Sequence, residues 1–228
     1  MTRDLTRRQL MAASAAVAGG YVLLGCGSDD KPTTSAPTST TSTSTERVDC
    51  QLAPEQTEGP YYIDNDLIRR DITEGKAGVP LDLRLKVLNA SSCEPIKNAT
   101  VEVWHCDALG NYSGVNGAEG NFLRGGQRSA NNGEATFRTI YPGWYQGRAT
   151  HIHVKVHVEG QVVHTGQLYF DDSDNAIVYK RPPYDSHGTP DTMNAADGIY
   201  QQGGKQSTVA LTPRGNGYVG RLSLGIRA

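Results

Sequence analysis

The sequence has little excess charge of either sign, and it has no apolar run long enough to span a bilayer. Its 228 residues include 22 Lys and Arg against 24 Asp and Glu, so the formal net charge is -2. This balance, with no basic patch and no glycine-rich phosphate loop, argues against a nucleic-acid-binding protein. The apolar run near the start, residues 10–24, is shorter than the ~20 residues of a spanning helix and is interrupted by Gly19 and Gly20.

The residues that flank this apolar run predict export. Arg7 and Arg8 resemble a twin-arginine signal, and the sequence LLGC, which ends at Cys26, resembles a bacterial lipoprotein cleavage site. We therefore expect residues 1–25 to be a signal segment. The mature protein is then extracytoplasmic and anchored in a membrane through lipidated Cys26. Cleavage without lipidation is the alternative.

Apolar residues are almost missing from the next part of the chain. Residues 26–48 are nearly all Ser, Thr, Pro or charged, so they have little apolar surface to bury. We expect a disordered linker there, which would hold a folded domain away from the membrane. The remaining residues, 49–228, are of ordinary size for one domain.

Cysteine is also scarce, with four in the chain. With Cys26 assigned to lipidation, an oxidising compartment favours one disulfide among the other three. Cys106 ends the apolar, strand-like sequence TVEVWHC, where a buried thiol is usual. Cys50 and Cys93 flank turn-like or irregular segments. We therefore predict a disulfide between Cys50 and Cys93 and a free thiol at Cys106.

No long helical periodicity is present, and from residue 79 onward the hydrophobic pattern mostly repeats every two residues. Turn sequences such as NNGE and RGNG separate these alternating runs. The pattern predicts an all-β fold, an antiparallel β-sandwich with long loops. The runs are 81–87, 100–105, 135–140, 151–158, 161–170 and 218–226. Residues 172–204 form the longest stretch without clear periodicity, and a loop of that size is usually functional or disordered.

The run at 151–158 places two histidines on one face of a strand. Because successive side chains point to opposite faces, His151 and His153 are neighbours, while Ile152 and Val154 face the core. A polar face turned to water would explain most of this pattern. By a similar interpretation, the surface is expected to carry His157, His164 and His187.

Two tyrosines near this strand favour a metal site instead. Tyr112 follows the strand-like sequence VWHC, and Tyr145 lies in a turn just before His151. A phenol with a pKa of ~10 loses its proton to a strongly Lewis-acidic ion. The resulting phenolate favours ferric over ferrous iron, whereas the common ferrous site uses two histidines and a carboxylate. Two histidines and two tyrosines would thus form a site of nitrogen and oxygen donors.

Five sequence motifs resemble those of the intradiol ring-cleavage dioxygenases, the family of catechol and protocatechuate dioxygenases. The resemblance spans about residues 50–226 and implies a β-sandwich fold. The motifs are TEGPYY (57–62), VWHCDALGNYSG (103–114), FRTIYPGWYQGRATHIHVKV (137–156), TGQLYF (165–170) and DTMNAADGIY (191–200). Carried over by position, the resemblance implies that Fe(III) is bound by Tyr112, Tyr145, His151 and His153. It also implies that Arg148 and Gln167 line the substrate site. His105, beside Trp104 in the matching motif, is not an iron ligand in the family, and we expect it to be buried and hydrogen-bonded.

The same resemblance implies a non-heme Fe(III) dioxygenase that cleaves catechols between the two hydroxylated carbons to give muconate-type products. Its partners are a catechol and O₂, with no nucleic acid. Tyr145 would leave the metal and act as general base, and Arg148 would stabilise developing negative charge. The alternatives are a non-catalytic β-sandwich binding module of the same family, or a copper or zinc site on the same histidines.

The resemblance is closest to the secreted, disulfide-containing branch of the family. A signal and a spacer replace the N-terminal helical domain of intracellular catechol dioxygenases, so the oligomeric state stays open. We expect catechol and substituted catechols as substrates, with hydroxyquinol as a further possibility. Recognition of protocatechuate needs a cation for the ring carboxylate. Arg124 and Arg128 are candidates for that role, although the Gly-rich stretch in which they lie could be solvated.

Overall fold

A computed structural model describes residues 50–228 of the chain. The predicted signal segment (1–25), the predicted linker (26–48) and the lipidation site at Cys26 lie outside the described residues. They stay predictions, as does the start of the domain at residue 49. Within the described part, no helix is both long and apolar enough to cross a membrane.

Eight strands form most of the regular structure within residues 50–228. In chain order they are β1 (Pro80–Asn89), β2 (Thr100–Trp104), β3 (Arg124–Arg128), β4 (Glu134–Ile140), β5 (His151–Val158), β6 (Gln161–Tyr169), β7 (Ala210–Arg214) and β8 (Gly217–Ile226). One α-helix, α1 (Asp172–Val178), follows β6, and short 3-10 helices lie at Tyr184–Ser186, Asn194–Ala196, Tyr200–Gln202 and Gly204–Ser207.

The strands form two four-stranded sheets, in the orders β4-β1-β8-β7 and β3-β2-β5-β6. The predicted β-sandwich is therefore confirmed. The prediction that it is wholly antiparallel is wrong, because β1 and β8 pair in parallel, with Leu81 opposite Tyr218. Parallel neighbours need a long crossover connection. The chain supplies one, since the whole of the second sheet lies between β1 and β8 in the sequence.

The core lies between the two sheets and follows the alternation of the sequence. Leu83 and Leu85 of β1 and Val154 and Val156 of β5 are completely buried and belong to one apolar cluster. Burial of each such side chain contributes about 1.5–3 kcal/mol. The period-two pattern therefore predicts which face of each sheet is turned inward.

Two strands were not predicted, because their sequences lack the usual features of a strand. Strand β3 reads RGGQR and has no apolar alternation. It forms because its backbone pairs with β2 and because Gly125 leaves room for Ile72, whose Cγ2 would lie 2.7 Å from an added Cβ. Strand β7 contains Pro213 and lies at the edge of its sheet, where a residue without an amide N–H is tolerated.

The outer face of the second sheet does not face water. The interpretation of the polar side chains at 151–158 as a solvated strand face is therefore wrong. We call residues 54–62 the cover segment, because they lie across this face. Glu58 forms an ion pair with Lys155 of β5, and Gly59 packs against the ring of His153. His164, expected at the surface, is 3% exposed because its Nδ1 meets Glu55 Oε1 at 2.9 Å.

The residues just before the cover segment are attached to the rest of the domain by a disulfide and a hydrogen bond. Cys50 and Cys93 form a disulfide, the pair that the sequence favoured, and Cys106 is free and buried. The Ala53 amide donates a hydrogen bond of 2.7 Å to the carbonyl of Gly225 in β8. The cover segment is thus held on one sheet and lies across the other.

The long segment 172–204 is folded against the sandwich. It contains α1 and three of the 3-10 helices. Asn194 Nδ2 donates a hydrogen bond of 2.8 Å to the carbonyl of Phe170, and Asn175 Oδ1 accepts one of 2.7 Å from Tyr141 Oη. Side-chain bonds to backbone and core groups, which leave no periodic pattern in the sequence, give this segment its structure.

His105 connects the two sheets as a buried, hydrogen-bonded side chain, as expected. Its Nδ1 lies 2.8 Å from the carbonyl of Cys106, and its Nε2 lies 2.8 Å from Thr139 Oγ1 in β4. The ring is completely buried, and burial lowers its pKa from 6.5 to about 4. The folded protein therefore favours the neutral ring, with Nδ1 as donor and Nε2 as acceptor.

This burial predicts acid sensitivity. Because the folded-state pKa lies below the unfolded one, the stabilisation is complete above pH 6.5 and is lost as the pH falls towards 4. The loss amounts to about 3 kcal/mol. Urea unfolding of the wild type and of His105→Gln, above pH 6.5 and near pH 4, measures this loss of stability. The difference in stability between the two proteins should shrink by about that amount at the lower pH, and an unchanged difference would contradict the prediction.

Candidate metal centre

Two histidine nitrogens and a tyrosine oxygen converge at the start of β5. The Nε2 atoms of His151 and His153 lie 3.1 Å apart, and Tyr145 Oη lies 3.2 Å from His151 Nε2. The histidines share a strand face, and the turn at residues 142–149 returns Tyr145 to the same place. Three potential ligand atoms thus surround one small volume.

Both imidazoles are held neutral. The Ala149 carbonyl accepts a hydrogen bond of 2.7 Å from His151 Nδ1, which leaves His151 Nε2 with a free lone pair. Burial, helped by the charge of Arg148, lowers the pKa of His151 to about 3. Burial and the neighbouring His151 keep the pKa of His153 well below its usual value. Neutral imidazole is the form that binds metals.

Two residues whose roles the sequence did not indicate fix the ring of His153. Trp104 of β2 stacks on it, with ring centroids 4.9 Å apart and planes 3° apart. On another side, Gly59 has a φ of +74°, and an added Cβ would lie 3.1 Å from His153 Cε1. Gly59 lies in the TEGPYY motif, which marked the segment as important without indicating this contact.

Tyr112 is positioned by the loop that follows β2. Asp107 folds the loop, because its Oδ1 accepts hydrogen bonds of 3.0 Å from the amides of Leu109 and Asn111. Ser113, next to Tyr112, donates a hydrogen bond of 2.7 Å to the carbonyl of Phe122. The Tyr112 hydroxyl is buried and has no hydrogen-bond partner within residues 50–228.

Tyr112 and Tyr145 differ in how far their side chains are buried. Tyr112 is 4% exposed, whereas Tyr145 is half-buried, and their ring centroids lie 5.7 Å apart. Burial raises the pKa of Tyr112 well above 10. Burial also raises the pKa of Tyr145 to about 12, although the charge of Arg148 opposes this. Both phenols are therefore protonated near neutral pH unless a strong cation replaces the proton.

This donor set fits a strongly Lewis-acidic cation. Among residues 50–228 the buried Tyr112 hydroxyl has no hydrogen-bond partner, and leaving it so is costly unless something binds it. Two neutral imidazoles with phenol oxygens supply the nitrogen and hard oxygen ligands that such an ion takes. The structure thus brings together Tyr112, Tyr145, His151 and His153, the predicted ligand set.

Arg148 and Gln167, which the resemblance predicts to line the substrate site, lie beside these donors, and a third residue holds Arg148. Arg148 Nη2 donates a hydrogen bond of 2.5 Å to Gln167 Oε1, and Arg148 Nε donates one of 2.9 Å to Asp197 Oδ2. Arg148 Nη1 lies 3.4 Å from Tyr145 Oη. Burial alone would raise the pKa of Asp197, but the Ala149 amide and Arg148 outweigh it, so that pKa is lowered.

A pocket of about 340 Å³ opens on the tyrosine side of the candidate metal centre. Its walls combine aromatic, amide and small apolar groups, and they include backbone of the loop after β2. The lining residues are Tyr61, Gly110, Asn111, Tyr112, Val115, Asn116, Ala118, Tyr145 and Gln146. A flat aromatic ring with polar groups on one edge suits this lining.

The two arginines proposed as carboxylate binders do not line that pocket. Arg124 is 2% exposed, and its guanidinium donates to the carbonyls of Ser113 and Tyr61. It is therefore not solvated, and its donors hold the loop beside Tyr112. Arg128, at the end of β3, lines a different cavity together with Thr100.

Comparison with known proteins gives consistent results. Residues 54–180 match the model of a family described as dioxygenase. The chain is similar to the solved structure of an intradiol ring-cleavage dioxygenase from Tetranychus urticae, with 36% identity, a TM-score of 0.74 and coverage of 78% of this chain and 95% of that one. It is 28% identical over 141 residues to a chlorocatechol 1,2-dioxygenase of Cupriavidus pinatubonensis, covering 51% of this chain and 54% of that protein. The chain thus spans about half the length of this curated relative.

The hydrogen bonds of Asp197 predict a large effect of its removal. Its carboxylate also accepts bonds from the amides of Ile199 and Tyr200, at 2.7 and 3.1 Å. Because Asp197→Ala leaves a half-buried guanidinium and several amides without partners, the free energy of unfolding should fall by about 3–5 kcal/mol. Denaturant unfolding measures this, with Asp185→Ala, an exposed acid, as the matched control. Equal stability of the two variants would contradict the role of Asp197.

Proposed function

This chain belongs to the intradiol ring-cleavage dioxygenase family, and from that premise we propose that it is a non-heme Fe(III) dioxygenase. It cleaves catechols between their two hydroxylated carbons, and both atoms of O₂ enter the muconate-type product. One observation carries the proposal. His151 Nε2 lies 3.1 Å from His153 Nε2 and 3.2 Å from Tyr145 Oη. The Tyr112 ring lies next to that of Tyr145, and its hydroxyl has no hydrogen-bond partner within residues 50–228.

Tyr112, Tyr145, His151 and His153 are the residues that would hold the iron. Bound ferric iron would supply a Lewis acid that lowers the pKa of the catechol hydroxyls. The chain contributes two imidazoles that burial keeps unprotonated and two oxygens that are strong donors as phenolates. Phenolate ligands favour the ferric state.

Tyr145 is the residue placed to move a proton. Both tyrosines line the pocket, but Tyr145 is the more exposed of the two, so we expect an incoming catechol to displace it more readily than Tyr112. Once displaced from the metal, the Tyr145 phenolate is a strong base, because burial raises the pKa of the metal-free phenol to about 12. It accepts a proton from a catechol hydroxyl at Oη as it gives up its place beside His151.

Arg148 supplies a fixed positive charge next to the reacting ring. Its Nη1 is directed towards Tyr145 Oη, while Asp197 and Gln167 hold the rest of the guanidinium. A charge that is already oriented needs no reorganisation when negative charge develops on the substrate. Gln167 is itself fixed, because its Nε2 donates a hydrogen bond of 3.0 Å to the carbonyl of Thr57.

The pocket favours catechols without a charged ring substituent. Tyr61, Val115 and Ala118 present aromatic and apolar surface, and Asn111 and Gln146 present amide groups. The curated relatives carry names that specify catechol and chlorocatechol. Catechol and substituted catechols, with hydroxyquinol as a further possibility, are therefore the proposed substrates.

Metal content and colour test the ligand assignment. Ferric iron bound to tyrosinate absorbs broadly in the visible, whereas zinc does not. Tyr112→Phe and Tyr145→Phe should each weaken or remove that band because each deletes a phenolate, while Tyr218→Phe, in the other sheet, should keep it. Metal analysis together with visible spectra measures this. Full colour in both ligand variants, or copper or zinc as the bound metal, would rule out the assignment.

Oxygen uptake with product analysis tests the activity. The protein should consume O₂ with catechol and 4-methylcatechol and give cis,cis-muconates, and it should act more weakly on protocatechuate because Arg124 is engaged elsewhere. Hydroxyquinol completes the panel. Absence of turnover by the iron-loaded protein would favour the non-catalytic binding module. A semialdehyde product, or a preference for protocatechuate lost in Arg128→Ala, would refute the reaction or the substrate class.

A further inference from the structure

The turn that carries Tyr145 is attached on both sides to one exposed segment. We call residues 187–191 the strap. It follows the 3-10 helix Tyr184–Ser186 and is mostly exposed. Its contacts reach Trp144, just before Tyr145, and Gly147, two residues after it.

On the Trp144 side, the strap contacts both the backbone and the side chain. His187 Nε2 lies 3.1 Å from the carbonyl of Trp144, and Trp144 Nε1 donates a hydrogen bond of 3.2 Å to the carbonyl of Gly188. The Trp144 and His187 rings pack together with centroids 4.5 Å apart. Two hydrogen bonds and a ring contact thus fix the residue that precedes Tyr145.

On the other side, a carboxylate holds the turn. The Gly147 amide donates to Asp191, at 3.1 Å from Oδ1 and 3.3 Å from Oδ2. Gly147 has a φ of +79°, so the chain reverses there in a conformation that favours glycine. Asp191 therefore fixes the point at which the turn leads back towards Arg148.

The loop after β2 also packs against the carbonyl oxygen of Trp144. Gly110 has a φ of +84°, and an added Cβ would lie 2.5 Å from that oxygen and 3.4 Å from His187 Nε2. The carbonyl is therefore confined between Gly110 and the strap. The Tyr145 side chain, by contrast, is half-buried and lines the pocket.

We propose that His187 and Asp191 are positioning residues that set how readily Tyr145 leaves its place beside His151 when a catechol enters. This rests on the proposed function, in which the catechol displaces Tyr145. The strap stabilises the backbone conformation that brings Tyr145 Oη to within 3.2 Å of His151 Nε2. A catechol that displaces Tyr145 must overcome that stabilisation. The more strongly the strap favours the conformation with Tyr145 beside His151, the lower the affinity for catechol.

Hydrogen exchange of the metal-free protein tests the attachment without catalysis. In Asp191→Ala and His187→Ala, the amides of residues 145–148 should exchange faster, on the order of tenfold, because the bonds that hold the turn are lost. The matched control is Thr189→Ala, in the same strap, which should exchange as the wild type does. Asp191→Asn keeps an acceptor oxygen and should recover most of the protection. Unchanged exchange in both alanine variants would overturn the proposal.

Anaerobic titration of the iron-loaded protein with catechol tests the effect on substrate. Asp191→Ala should bind catechol about three- to tenfold more tightly, as expected from the loss of one or two hydrogen bonds. Its resting visible band should be weaker than that of the wild type, and its catechol-bound spectrum should be the same. In a Tyr145→Phe background, Asp191→Ala should have no further effect on affinity, because the group that the strap positions is gone.

Two results would contradict the proposed role of the strap, and both can be distinguished from a failure of the proposed function. If the strap holds the backbone equally with and without substrate, Asp191→Ala binds catechol as the wild type does. If the effect of Asp191→Ala persists in Tyr145→Phe, the strap acts through another residue. A failure of the proposed function shows instead in the wild type, as a protein with no tyrosinate band and no catechol binding.

Discussion

The structure depends on keeping one polar strand face out of water. His151 and His153 lie on the outer face of β5, where a lone strand would be solvated and both rings could be protonated. The cover segment covers His153 through Gly59. Tyr145 and Tyr169 pack against His151, and burial lowers the pKa of both histidine rings. Lys155, on the same face, is accommodated by Glu58 and by the Tyr62 ring, whose centroid lies 3.4 Å from its Nζ. The neutral state of His153 is therefore a consequence of how residues 54–62 fold.

Two buried carboxylates, Asp107 and Asp197, hold in place the loops that position Tyr112 and Arg148, and both do so by accepting hydrogen bonds from backbone amides. Asp107 accepts bonds from nearby amides and pairs with Lys76, which fixes the loop of Tyr112. Asp197 accepts amide bonds and pairs with Arg148. An aspartate that satisfies several backbone donors gives an irregular loop one conformation, which apolar packing alone would not do. The precision of the site therefore comes from polar groups, while the sandwich core supplies the platform.

The sequence predicted the features that depend on local periodicity or on a short motif. Strand β5 was predicted with its observed bounds, and its pair of histidines marked the site. Features that depend on remote partners were missed. Strand β3 exists through pairing with β2 and not through its own side chains, and the burial of Lys155 and His164 depends on a segment about a hundred residues earlier. The role of Asp197 required knowing that it folds back onto Arg148, 49 residues away.

The partners of Arg148 show why its charge stays available to a substrate. Asp197 is buried and pairs through Nε, on the side away from Tyr145, so it fixes the guanidinium without covering Nη1. Nη2 meets the amide oxygen of Gln167, a neutral group. A carboxylate in place of that amide would orient the guanidinium equally well, but it would give the group formed with Asp197 a net negative charge at short range. A neutral acceptor on one side and a single carboxylate on the other hold Arg148 in one orientation and leave Nη1 facing Tyr145 Oη.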